Sequence, residues 1–207
     1  MDLEAFVLAQ LPPAPARVLE VGCGRGELAH ALVRAGHDVI AIDPEAPDGP
    51  HFRRVSLEDF TDPAPFDAVV ASRSLHHVDD LGVALDRIVG LLRPGGVLVL
   101  NEFAKDRLEG RTAAWYYDRR RELAAAGGKE APRSLEDCIH NEHADIHSFA
   151  DMRRELDRRL EPRLLAWIPY LYDELEALTS EAAERTLIEA GVILATGFRY
   201  VGETARS

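Results

Sequence analysis

Glycines at 22, 24 and 26 close the run Val18-Leu19-Glu20-Val21-Gly22-Cys23-Gly24-Arg25-Gly26, which joins an apolar stretch to an amphipathic one. Where a strand of a parallel sheet turns into a helix, such glycines clear away side chains so that a ligand can lie against free backbone N–H groups. A dinucleotide fingerprint would place a small, uncharged residue three positions after its second glycine, beside a pyrophosphate. Here that position is Glu27, whose carboxylate would repel two phosphates at the helix N-terminus. The loop therefore favours an adenosine without a pyrophosphate. Asp43 ends the next apolar run and could accept hydrogen bonds from both ribose hydroxyls; an Asp before Pro44 also serves as a turn or cap residue. Glu20 precedes the loop on a buried strand, where an acid is costly unless paired, so a cationic ligand group explains it better than packing does.

Elements must carry these residues, and the pattern supplies them. Asp2 to Gln10 reads as a short helix halted by Pro12, Pro13 and Pro15. Short apolar runs at Arg17 to Val21, Asp38 to Asp43, His51 to Val55, Phe66 to Ala71 and Val97 to Leu100 read as strands. Helical spacing covers Glu27 to Ala35 and Leu81 to Leu92, the latter ended by Pro94, Gly95 and Gly96. From Lys105 to Asp145 two helical stretches flank Gly127, Gly128 and Pro132, an addition such a sheet does not need for its core. Ser148 then caps a helix carrying Phe149, Met152, Leu156 and Leu160, and Arg163 to Ile168 is a strand. A helical pair at Leu171 to Leu178 and Ser180 to Ala190 leads through Gly191 into a last strand, Val192 to Val201. Strands without period-2 alternation, separated by helices, indicate an α/β fold with a doubly wound, mostly parallel sheet of seven strands. The chain is expected to be one domain over residues 1–207, with residues 105–145 a helical lid or acceptor-binding insertion after the fifth strand.

Composition narrows the partners. Acidic residues number 36 against 24 Lys and Arg, a formal charge of −12, so a polyanion meets a repulsive mean field and nucleic acid is not expected. The start carries Asp2 and Glu4 rather than a basic n-region, which argues against a signal peptide or membrane span. Two cysteines, Cys23 and Cys138, suggest neither a disulfide framework nor a four-ligand zinc site. A cytoplasmic location is the expectation, with the oligomeric state open.

Four ordered segments then carry a resemblance: VLEVGCGRG from Val18, IAIDPE around Asp43, FDAVVASRSLHHVDD from Phe66 and LLRPGGVLVLNEF from Leu91. Together they resemble the class I S-adenosylmethionine-dependent methyltransferases, closely over Arg17 to Phe103. The resemblance implies S-adenosylmethionine as cofactor, with Glu20, Gly22, Cys23 and Gly24 on its methionine part. It implies Asp43 on the ribose and Pro44 beside the adenine. Leu57 and Glu58 match the adenine edge; Ser56 stands where the family often has Asp, so the contact to the amino group passes to Glu58 or to backbone. Ala71 and Ser72 match positions lining the sulfonium end.

Methyl transfer from a sulfonium is an in-line displacement, so the protein aligns the acceptor, excludes water and removes a proton where the acceptor needs it. His76 and His77 follow the fourth strand and Glu102 follows the fifth, which is its neighbour in this fold. His76 as base supported by Glu102 is one reading; His77 could be the inward ring instead. In the bland reading one histidine caps the helix after Val78 or packs beneath the loop, and Glu102 binds an Arg of the insertion. His140, His143 and His147 could line the acceptor pocket, while two at i, i+4 do not fix a metal. Trp115, Tyr116 and Tyr117 fit either an acceptor platform or core. A small-molecule methyltransferase, with oxygen weakly preferred as acceptor, is therefore expected. A non-catalytic S-adenosylmethionine or S-adenosylhomocysteine binder is the alternative, and Glu27 disfavours a nicotinamide enzyme.

Overall fold

The computed structural model describes residues 1–144 and 146–206, and only the backbone of Glu176 and Ala177. Asp145, the last residue of the expected insertion, and Ser207 lie outside the described residues. The chain divides into two compact units: residues 1–102, 151–165 and 199–207, and residues 103–150 with 166–198.

In the first unit Asp2 accepts the Ala5 N–H and opens α1 (Leu3–Gln10), whose Phe6 and Val7 are buried. Next come β1 (Arg17–Val21), α2 (Glu27–Arg34), β2 (Asp38–Asp43), β3 (Phe52–Arg54) and β4 (Phe66–Ser72). A short 3₁₀ turn at Leu75–His77 leads to α3 (Leu81–Leu91), capped by the Asp80 carboxylate on the Val83 N–H. β5 (Leu92–Phe103) follows. The sheet order is β3-β2-β1-β4-β5-β7-β6, where β6 is Glu161–Ile168 and β7 is Gly197–Glu203. Pairings from β3 through to β5 are parallel. The Thr204 N–H bonds the Gly96 carbonyl and the Ala104 N–H bonds the Thr196 carbonyl, so β7 runs antiparallel to β5. The sheet is thus α/β and mostly parallel, as the apolar runs imply. Val18, Val39, Ala41, Ala68, Val70, Val97 and Val99 pack with Phe6 and Leu32 into one core, which is why these strands read as continuous apolar stretches.

The second unit holds α4 (Gly110–Ala125) and α5 (Leu135–His143), with α7 (Glu181–Glu189) beyond them. Phe103, Leu108, Ala113, Tyr116, Cys138, Tyr170, Leu171 and Leu175 form its core. α6 (Phe149–Asp157) begins here and continues into the first unit. The buried Glu184 carboxylate accepts the N–H groups of Tyr170, Leu171 and Tyr172, and so caps the turn that follows.

Several expected bounds shift for local reasons. Pro94, Gly95 and Gly96 lie inside β5, because Leu92 pairs with Phe66 across an irregularity in register and the Arg93 and Gly96 carbonyls both meet the Thr204 hydroxyl. The last strand starts at Gly197 rather than Val192. Upstream of it the Leu194 N–H is taken by the Thr112 hydroxyl and the Ala195 carbonyl by Arg107, leaving no ladder to join. Leu171–Leu178 is 3₁₀ rather than α-helical. No helix of the described residues is long and apolar enough to cross a membrane.

Candidate cofactor and active site

All the strand-end residues singled out in the sequence, from Glu20 to Glu102, belong to the first unit. Register sets their level: Val21 pairs with Ile42 and with Ala71, and Ala71 in turn with Leu100. The residues that follow each strand therefore emerge at one edge of the sheet, where an open α/β sheet receives ligands.

The glycine loop is held from both sides. The N–H groups of Gly22 and Cys23 both donate to the Ile42 carbonyl, and that of Gly24 donates to Asp43 Oδ2 at 3.0 Å. The other carboxylate oxygen of Asp43 accepts the Glu45 N–H at 2.8 Å. Asp43 thus fulfils its turn role, and each of its oxygens keeps a further lone pair for a hydroxyl donor. Gly26 opens α2 at φ +81°, with the Phe52 ring 2.4 Å from where its β-carbon would stand, so only glycine fits there.

Glu20 is 4% exposed, and its Oε2 has no hydrogen-bond partner. Burial pushes its carboxyl up to about 8, against the lowering effect of the Ala29 N–H; the nearby charge of Asp43 adds to the rise. A buried acid with an orphaned oxygen at the foot of an open loop is the arrangement a cationic ligand group would complete. Cys23 is buried, and the same desolvation pushes its thiol up to about 12, which disfavours the thiolate a nucleophile would need.

The other expected cofactor positions differ in depth. Pro44 and Glu58 are exposed, and Leu57 is buried with its carbonyl accepting from Arg87 Nε. Ser56 bonds the Asp59 N–H and shapes the turn that carries Leu57 and Glu58. Ala71 is fully buried, and the Ser72 hydroxyl accepts from the Asn101 side-chain amide.

Glu102 is fully buried and carries the loop after β4. Its Oε1 accepts the N–H groups of Ser74, at 3.1 Å, and Leu75, at 2.9 Å, while Oε2 meets His76 Nδ1. A carboxylate at Nδ1 makes that nitrogen the donor and leaves Nε2 with the lone pair of the neutral ring. His76 is 5% exposed, whereas His77 faces outward, 4.1 Å from it between ring centroids. Partial burial and the neighbouring ring hold His77 below its ordinary value. Asp80 rather than a histidine caps α3, His76 packs in beneath the loop after β4, and Glu102 bonds that loop rather than an Arg of the insertion.

Sequence reasoning missed Ser74, Arg73 and Asn101. Ser74 donates its hydroxyl to the Val21 carbonyl, and its β-carbon closes on Gly22. Arg73 takes φ +57° with its N–H on the Asn101 carbonyl. None of the three shows as periodicity or as a glycine signature; the left-handed Arg73 in particular breaks the usual rule for non-glycine residues.

In the second unit, Tyr116 is fully buried, with Trp115 and Tyr117 packed on the same core. His140 and His143 line a cleft of about 560 Å³ with Leu135, Glu136 and Ile139, and His147 lies beyond α5.

A family profile described as a methyltransferase domain matches residues 2–160. The chain belongs to that methyltransferase family. It is 36% identical over 126 residues to an uncharacterized methyltransferase of Mycobacterium bovis, covering 55% of this chain and 62% of that protein. The methyltransferase chain thus spans about six-tenths of the length of the first curated relatives it matches. Over 211 residues it is 39% identical to the ubiquinone biosynthesis O-methyltransferase of Xylella fastidiosa strain M23, covering 95% of this chain and 76% of that one. Among solved structures, 1,6-didemethyltoxoflavin N1-methyltransferase from Burkholderia thailandensis, holding its namesake substrate and S-adenosylhomocysteine, aligns at TM-score 0.57 and 18% identity. That alignment covers 98% of this chain and 76% of the other, and it shows the Rossmann-like methyltransferase fold.

Proposed function

We propose that this methyltransferase-family chain transfers a methyl group from S-adenosylmethionine to a hydroxyl of a small molecule. The residues present fit that cofactor. The orphaned Glu20 oxygen suits the ammonium of its amino-acid part, Asp43 the ribose hydroxyls, and the loop at Gly22 and Gly24 the close approach of a ligand to backbone. When bound, S-adenosylmethionine supplies a methyl group already activated on sulfur.

Oxygen rather than nitrogen or carbon as the acceptor rests on one observation: the buried contact of His76 Nδ1 with Glu102. Glu102 holds the ring in the tautomer whose Nε2 accepts a proton, and a hydroxyl acceptor must lose one as the methyl arrives. His76 is the base in this reading and Glu102 its positioning residue. The name of the Xylella relative, an O-methyltransferase, favours the same choice. The test is formation of S-adenosylhomocysteine with phenols, alcohols, amines and amides offered as acceptors. Turnover of a hydroxyl acceptor that falls about 10²-fold or more in His76→Ala supports the proposal. Turnover of amines alone rejects the oxygen assignment, and binding without turnover on any class leaves a cofactor-binding protein.

A further inference from the structure

The second unit contains a cleft of about 610 Å³, within the size range of small-molecule sites, walled by Arg107, Glu109 to Thr112, Trp167, Ile188 and Gly191 to Ala195. Its walls are fixed by hydrogen bonds: the Leu194 N–H donates to the Thr112 hydroxyl at 2.9 Å, and Arg107 Nε donates to the Ala195 carbonyl at 2.6 Å. The Arg107 guanidinium lies over the Trp167 ring, 3.9 Å from its centroid, and Phe149 packs against the same indole. Val192, 44% exposed, and Leu194, 43% exposed, offer the apolar side of the cleft to solvent.

The cleft carries an excess of cationic side chains on an acidic chain. Acids outnumber basic residues 36 to 24, and several half-buried arginines elsewhere are paired with acids: Arg17 with Asp38 and Asp62, Arg159 with Asp86 and Glu155. No acid among the described residues pairs with Arg107 or Arg111. With Nε on a carbonyl and the plane stacked on indole, the two terminal nitrogens of Arg107 form a pre-set fork without a protein partner. Glu109, exposed at the rim, is the single acid of the lining and leaves two guanidiniums in excess by one.

We propose that this cleft binds a small amphipathic carboxylate, its anion on the Arg107 fork and its apolar body against Val192, Leu194 and Ile188. The fork matches a carboxylate in two parallel hydrogen bonds, and the pinned wall means that little ordering opposes binding. This site is assigned independently of the methyl-transfer reading.

The probe is phenylacetate, with phenylacetamide as its uncharged counterpart. Each is titrated into the full chain while the indole N–H signal of Trp167 and the heat of binding are followed. Phenylacetate should saturate the Trp167 shift, and phenylacetamide should bind at least ~10-fold more weakly. Arg107→Lys, which keeps the charge and loses the fork, should weaken phenylacetate by ~10-fold or more. Because that change also frees the Ala195 carbonyl, Val192→Asp is the second variant; it leaves Arg107 intact, sets an acid beside the anion, and should abolish binding. S-adenosylhomocysteine titration of each variant reports on the glycine loop, so loss of one activity does not imply loss of the other. Equal binding of phenylacetate and phenylacetamide, no saturable Trp167 shift, or undiminished binding in Val192→Asp overturns the proposal.

Discussion

A β-carbon on Gly22 would stand 2.5 Å from the β-carbon of Ser74. The loop that bears Gly22 and Gly24 and the loop that bears His76 therefore pack directly on one another, and the Ser74 hydroxyl ties the second to the Val21 carbonyl. Glu102 holds that same second loop through Ser74 and Leu75 and meets His76 with its other oxygen. The glycine loop, His76 and Glu102, to which the cofactor-binding, base and positioning roles are proposed, form one contiguous assembly in the first unit.

Substitution of the glycines should separate strain from contact. Gly22→Ala meets both φ +73° and the Ser74 side chain, whereas Gly24→Ala meets φ +49° with nothing within 4 Å. Denaturant unfolding should show Gly22→Ala costing about 2–4 kcal/mol and Gly24→Ala about 1 kcal/mol. Equal losses would mean that the Gly22 to Ser74 approach carries no energy of its own.

With Glu20 proposed to meet the cofactor's ammonium, cofactor binding should depend on pH. Its carboxyl being near 8 in the free protein, Glu20 is mostly protonated at pH 7, and a cationic ligand group requires it ionised. Binding of S-adenosylhomocysteine should release close to one proton at pH 7, with affinity rising from pH 6 to 8 and levelling above. Calorimetry in buffers of different ionisation enthalpy measures this. The same group acts on stability in the opposite sense. Its folded value is raised, so between about pH 4.5 and 8 the folded state holds a proton that the unfolded state has lost, and stability falls as pH rises through that window. Glu20→Gln should remove that loss, raising Tm of the ligand-free protein at pH 8.5 by about 3–8 °C, and should flatten the affinity profile.

Glu102→Gln tests the positioning role without emptying the site. The Gln oxygen can keep the Ser74 and Leu75 N–H groups, and its amide then presents a donor to His76 Nδ1, which reverses the ring tautomer. The variant should fold and bind S-adenosylhomocysteine within about 3-fold of wild type, while nitrogen chemical shifts of His76 report protonation moved to Nε2. Turnover with a hydroxyl acceptor should fall about 10²-fold. An unchanged tautomer would remove Glu102 from the account of proton transfer.

The parts of this protein legible in its sequence are those set by backbone geometry. Glycines at 22, 24 and 26, the carboxylates at strand ends and continuous apolar strands such as Phe66–Ser72 each answer a local demand for positive φ, exposed loop donors or two-sided burial. What the sequence does not display comes from distant partners. Ser74 earns its place only because β4 lies beside β1, and the start of β7 at Gly197 is decided by Thr112 and Arg107 capturing the residues before it. Glu102 could be named from its strand, but its bonds to two backbone N–H groups appear only once the loop after β4 folds over it.

The most direct measurement is calorimetric titration of the wild-type chain and of Asp43→Ala with S-adenosylhomocysteine, alongside NAD. Asp43 bonds the Gly24 N–H and faces the place proposed for the ribose, so its loss should weaken binding by about 1.5–3 kcal/mol. Wild type should bind S-adenosylhomocysteine at one site per chain and give no heat with NAD. Binding of NAD in preference, no binding of S-adenosylhomocysteine, or equal affinity in Asp43→Ala contradicts the account of the site.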